Sequence, residues 1–231
     1  DFEPAGSGPT GQPVFGLKRG VDGHDVVFDK IGYAREAVNS YARFSQLKAE
    51  GVIPSATKFQ VSLPTPTAVI STFVALDDRA AIEESYTRDM MDELNEILST
   101  IPLADLVVQW DIAVEVIAFA GALPLHYDRI LQATVARVAA LIAPTPQSTA
   151  VGIHLCYGDP GHKHIVEPED LANCVAFANL FNTEVPERID YIHMPVPRDR
   201  QDVHYFAPLT DLNIGQSRLV LGLVHHTDGV T

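Results

Sequence analysis

The chain has 231 residues, close to half of them apolar, which is enough for one large domain or two small ones with a substantial core. Its formal net charge of −14 excludes nucleic acid and anionic membrane surfaces as natural partners, because binding phosphates takes clustered Lys and Arg. No run of about eighteen apolar residues occurs, so no transmembrane helix is expected. The two cysteines, Cys156 and Cys174, do not make a secreted disulfide framework, and a reducing, cytoplasmic compartment is expected. The chain begins at Asp1 without Met, so a processed, trimmed or incomplete chain is expected.

Residues 1–30 are rich in Gly, Pro and Asp and read as a loop or an arm, with one short strand at Val14–Leu17. A single domain is expected over 31–231. Val38, Tyr41, Phe44 and Leu47 recur at three-residue spacing and predict a helix over 33–50, stopped by Gly51 and Pro54. Lys58–Leu63 is a predicted strand. The following Pro64-Thr65-Pro66-Thr67 is expected to be a rigid loop. A helix over 79–99 carries the stripe Ile82, Tyr86, Met90, Leu94 and Ile97. Its acids Glu83, Glu84, Asp92, Glu93 and Glu96 are expected to form a solvated face.

Leu106–Trp110 is a buried strand ending in Asp111. A helix over 126–142 turns Ile130, Thr134, Val138 and Leu141 inward. The strand 151–156 follows, then a helix over about 168–181 with Pro168 in its first turn. Its stripe is Leu171, Val175, Ala178 and Phe181, with Cys174 in the core. Ile189–Met194 is a strand, Arg198–Tyr205 a polar loop, and Leu219–Val224 the last strand, running into His225-His226-Thr227-Asp228. Buried strands alternating with helices imply a parallel sheet with right-handed crossovers.

The C-terminal tips of the strands carry the chemistry. In order they are Pro64–Thr67, then Gln109 and Asp111, then His154, Cys156, Tyr157 and Asp159, then His193, and last His225, His226 and Asp228. Parallel barrels and open sheets alike place ligand sites at that end. Polar residues follow strands in any protein, which accounts for the Asp and Thr but less well for a Cys and three His positions. Val151–Asp159 (V-G-I-H-L-C-Y-G-D) is the centre of the set. His154 and Cys156 lie two apart, hence on one side of a strand, and are candidate zinc ligands. The bland alternative is a buried Cys beside a hydrogen-bonded His. Asp111 is a candidate general base or ammonium contact. Gln109, Tyr157, Asp159, His193 and Asp228 are candidate substrate contacts, and His225 a candidate catalytic group. The chain has no G-x-G-x-x-G, Walker A, G-x-S-x-G or H-E-x-x-H motif.

Val108-Gln109-Trp110-Asp111 resembles the Q-x-D-E-P strand end of cobalamin-independent methionine synthases, and His154-Leu155-Cys156-Tyr157 resembles that family's zinc-binding H-x-C-Y strand. The wider superfamily includes uroporphyrinogen decarboxylase, and the chain is nearer to its uncharacterised members. The resemblance spans roughly Lys58 to Thr231. It implies a (β/α)8 TIM-type barrel, incomplete at one or both ends. It also implies zinc at His154 and Cys156, Asp111 on the substrate, and methyl transfer from a folate donor to a thiol. Ile112 and Ala113 stand where the family has Glu-Pro, and the family's carboxylate and second Cys ligands are missing. Either the remaining ligand lies beyond Thr231, or His193 or His225 substitutes, or the site holds no metal. Two other readings remain open. One is a metal-free, decarboxylase-like lyase on a carboxylated small molecule held by Arg198 and Arg200. The other is a non-catalytic barrel that binds a small molecule or a partner.

Overall fold

The computed structural model describes residues 1–9, 11–158 and 164–223. Its sheet strands are β1 (Phe2–Ser7), β2 (Pro13–Leu17), β3 (Phe59–Pro64), β4 (Leu106–Ile112), β5 (Ala150–Leu155), β6 (Tyr191–Pro195) and β7 (Arg218–Gly222). β1 and β2 form an antiparallel hairpin, of which the sequence shows only the second strand. The other five make one parallel sheet in the order β3-β4-β5-β6-β7. The protein is therefore α/β, as expected, but the sheet does not close on itself and an eight-stranded barrel is not formed by the described residues.

The chain divides into two compact units. The first comprises 1–109 and 143–150. It holds the hairpin, helices α1 (Tyr33–Ala49), α2 (Pro66–Phe73) and α3 (Arg79–Thr100), and strand β3. α2 occupies the stretch expected to be a rigid loop. Proline cannot extend a strand, yet it suits the first turn of a helix, where its missing N–H would be unpaired anyway. Thr65 caps this helix by accepting from the Ala68 N–H at 3.0 Å. The five stripe residues of α3 are all buried, as their spacing requires.

Its acidic face is not all solvated, and here the sequence expectation is corrected. Glu93 is only 7% exposed and accepts from the backbone N–H groups of Gly32 (3.0 Å) and Ala34 (2.6 Å). Gly32 caps α1 with no side-chain acceptor of its own, so Glu93 supplies the acceptor from another helix. One turn earlier, Asp89 accepts from the Phe28 N–H at 2.6 Å. Two carboxylates of α3 thus pin the segment that leads into α1.

The second unit comprises 110–142 and 151–231. Helices α4 (Val114–Phe119), α5 (Ile130–Ile142) and α6 (Ala172–Glu184) pack on one another in it, and α7 (Val203–Phe206) is a single turn. α4 and α7 were not evident from their sequences. α6 starts at Ala172, so Pro168 lies outside it, although Leu171, Val175, Ala178 and Phe181 are buried as predicted. α7 is capped by Asp202, which accepts from the Tyr205 N–H at 3.0 Å. The Tyr205 hydroxyl donates to the Pro195 carbonyl at 2.7 Å and ties that turn to the end of β6.

Candidate functional site

Strand alternation sorts the second unit's side chains. Val151, Ile153 and Leu155 of β5 and Ile192 and Met194 of β6 are buried. The interleaved Gly152, His154, Tyr191 and His193 share the other face. The parallel register sets Gly152 beside Tyr191 and His154 beside His193. It continues with His193 beside Val220 and Pro195 beside Gly222 on β7.

Two glycines make this face possible. The Tyr191 ring lies over Gly152 so closely that any side chain there would overlap it. A Cβ on Gly222 would stand 2.8 Å from His193 Nε2. The imidazoles of His154 and His193 stack with centroids 4.6 Å apart and planes 30° from parallel. The face is thus paved by three rings, with the Asp111 carboxylate close enough to act electrostatically on Tyr191 and His193.

Burial lowers the pKa of His154. It also lowers that of His193, helped by His154 and opposed by Asp111. Both rings are therefore neutral at neutral pH, as a metal ligand or a general base must be. The Tyr191 phenol is pushed up to about 12 by burial first, then by Asp111 and Asp190. His154 Nδ1 is buried and has no hydrogen-bond partner among the described residues. Such an atom has room for a partner from outside them, a water, an ion or a substrate.

The sequence-predicted residues divide as follows. Asp111, His154 and His193 come together in the second unit. Cys156 is one residue past β5, half-buried and in no disulfide. Its N–H donates to the Ile112 carbonyl at 3.2 Å, which ties the tip of β5 to that of β4. Tyr157 is not on the ring-paved face. It is fully buried, its phenol adjoining Cys174 and Asn173 of α6 without a well-formed hydrogen bond, and burial raises its pKa. The Cys174 thiol beside it is pushed up to about 12, as befits an inert core cysteine. Gln109 belongs to the first unit, where its amide donates to Ser62 Oγ at 3.2 Å. Asp159, His225 and Asp228 lie outside the described residues, as do His162 and His226.

Sequence reading missed Tyr191 and Glu115. Tyr191 sits near the start of β6, away from the strand tips, and only the glycine opposite it betrays its position. Glu115, in the first turn of α4, is 1% exposed, a rare state for a carboxylate. It escaped because that helix was not recognised.

A metal centre is only half furnished. Among the described residues, no three of His, Cys, Asp and Glu come together to hold an ion. His193 does not complete a set with His154 in this arrangement. An ion bound to an imidazole nitrogen lies in the ring plane at about 2 Å, and two stacked, near-parallel planes do not share such a point. Of the two arginines of the lyase reading, Arg200 pairs with Asp202 at 2.9 Å and lies 4.9 Å over the Tyr205 ring. A scan against protein-family models gives no match, and neither the curated proteins nor the solved structures include one.

Proposed function

We infer that the chain is a methyltransferase-like enzyme of the methionine synthase superfamily, acting on a thiol or a related small nucleophile at the C-terminal ends of its parallel strands. The observation that carries this reading is the tip of β5. There the buried His154 Nδ1, without a hydrogen-bond partner among the described residues, lies two residues before the half-buried Cys156, on the face that carries Tyr191 and near Asp111. The strand order supports the fold side of the reading. Doubly wound sheets reverse their strand order partway, whereas a strictly sequential order with right-handed crossovers is that of a (β/α) barrel wall. The sheet is accordingly read as five strands of such a wall. Two cysteines that are not joined in a disulfide support a reducing, cytoplasmic setting.

His154 and Cys156 suit zinc as a nitrogen and a sulfur donor. Bound there, zinc would hold a thiol substrate as its thiolate at neutral pH. Asp111 binds the substrate's ammonium group. Tyr191 covers Gly152 and forms the wall against which the substrate lies. His193, stacked on His154, fixes the plane of that ring. A folate as methyl donor rests on the resemblance alone.

The test is elemental analysis of the whole chain purified without chelators, alongside Cys156→Ser and His154→Ala. About one zinc per chain, lost in both variants, is expected. Zinc absent from the parent protein, or retained in both variants, overturns the assignment. Methyl transfer to small thiols is then assayed on the zinc-loaded protein.

A further inference from the structure

The first unit contains a pocket that the methyltransferase-like reading does not use. Phe2 and Phe15 of the hairpin, Phe28, Tyr86 of α3, and Ile70 and Phe73 of α2 line a half-open depression of about 270 Å³, and the surface it offers is entirely apolar. Phe28 meets Tyr86 edge-on at 4.9 Å and Phe2 at 5.8 Å, so three rings from three segments interlock as one wall. Val69, Ile70 and Phe73 form the facing wall. Phe15 and Phe73 are 36% and 42% exposed.

Hydrophobic collapse ordinarily closes such a space, since interiors pack to the density of organic crystals. Here hydrogen bonds hold the walls in place. Asp89 fixes Phe28 through its backbone N–H at 2.6 Å. The hairpin is tied to the chain between α2 and α3 by the Ala75 N–H on the Phe15 carbonyl at 2.8 Å and by the Leu17 N–H on Asp78 at 2.9 Å. These bonds fix the backbones that carry the lining side chains. A preformed apolar site spends little on ordering itself when a ligand enters.

We propose that this pocket is a binding site for a small, uncharged hydrophobic molecule, or for the aromatic or aliphatic end of one, separate from the candidate active site. Its volume selects a small molecule over a docked peptide. Helix recognition lays several anchors along a groove, whereas this pocket seats one group. An apolar cavity of about 150 Å³ takes up benzene, so about 270 Å³ suits a fused two-ring aromatic or a chain of comparable bulk. No lining residue is charged, so a charged head group inside would lose its hydration without compensation.

The probe is naphthalene, followed by thermal shift and by ligand-observed NMR on the whole chain, with naphthalene-2-sulfonate as the charged comparison. Val69→Trp fills the pocket, and Phe73→Ala removes a wall at its rim. We expect saturable naphthalene binding, at least about tenfold weaker sulfonate binding, and a loss of about tenfold or more in Val69→Trp. Phe73→Ala, at a half-exposed position, carries the test if Val69→Trp does not fold by circular dichroism. A severalfold loss is expected from it. No saturable binding, equal binding of the sulfonate, or binding unchanged by the folded variants overturns the proposal. Because the readout is direct binding in the first unit, its failure leaves the zinc and methyl-transfer assays untouched, and theirs leaves it untouched.

Discussion

The two units hold their buried ionisable side chains differently. In the first, the buried carboxylates Asp89 and Glu93 are each answered by backbone N–H groups. In the second, His154 Nδ1 is buried and finds no hydrogen-bond partner among the described residues, a state it shares with uncharged Trp110 Nε1 and, in the first unit, Ser71 Oγ. A satisfied buried acid adds stability and fixes chain geometry. An unsatisfied buried imidazole costs stability, and a fold retains that cost where the group has other work to do. The contrast is therefore between particular groups, Glu93 holding a helix start and His154 lying on the candidate site's face.

Breaking the satisfied side has the largest expected effect. Glu93→Ala leaves the Gly32 and Ala34 N–H groups unpaired at the start of α1, and a loss of about 3 kcal/mol in unfolding free energy is expected by urea denaturation. Glu93→Gln keeps one acceptor oxygen and is expected to lose roughly half as much. A loss below about 1 kcal/mol in the alanine variant would mean that Glu93 does not hold the helix start.

The glycine that admits Tyr191 comes next. Gly152→Ala forces a methyl group into the tyrosine ring, and about 2 kcal/mol is expected for overpacking on this scale. Adding Tyr191→Ala should restore most of it, a coupling that a double-mutant cycle measures directly. If the second substitution rescues nothing, the ring does not rest on Gly152.

How far the sequence displays all this depends on the kind of signal. The stripe of α3 and the runs in β4 and β5 are legible because burial writes them at fixed periods. α2 and α4 were missed because eight and six residues are too few to show a period, and the prolines of α2 read as breakers. The parallel sheet was legible, but its strand order and extent were not, because open sheets and barrels share the same alternation of strands and helices. The chemistry at the tip of β5 was visible as H-x-C. The stacking of His193 on His154 was not, since it depends on the pairing register of β5 with β6. Glu93 was read as solvated because charge predicts exposure on average. Its burial follows from α1 beginning at Gly32 without a cap of its own.

His154 sharpens the comparison from the other side. Replacing it with Leu removes the orphaned Nδ1, so folding stability is expected to change by no more than about 1 kcal/mol, in either direction. The same substitution abolishes any zinc bound through that ring. Equilibrium unfolding and metal content on one sample read both. A loss of several kcal/mol with zinc absent throughout would make His154 a packing residue and dissolve the contrast between the units.

The smallest effect lies at a half-exposed ion pair in the first unit. Asp105 accepts from Lys48 at 2.7 Å and from the Tyr41 hydroxyl at 2.9 Å. These bonds, Lys48 foremost, hold its carboxyl below the usual carboxylate range. A depressed folded pKa means that the pair stabilises above the unfolded value of about 3.9 and that this stability is lost as pH falls through the folded value. Solvent screens the pair, so Asp105→Asn is expected to cost under about 1 kcal/mol at pH 7. The gap between parent and variant urea midpoints should persist at pH 5 and shrink as the pH is lowered below about 4. A gap that instead grows on acidification would show that Asp105 stabilises the fold as the protonated acid, with the Tyr41 hydroxyl and not Lys48 as its main partner.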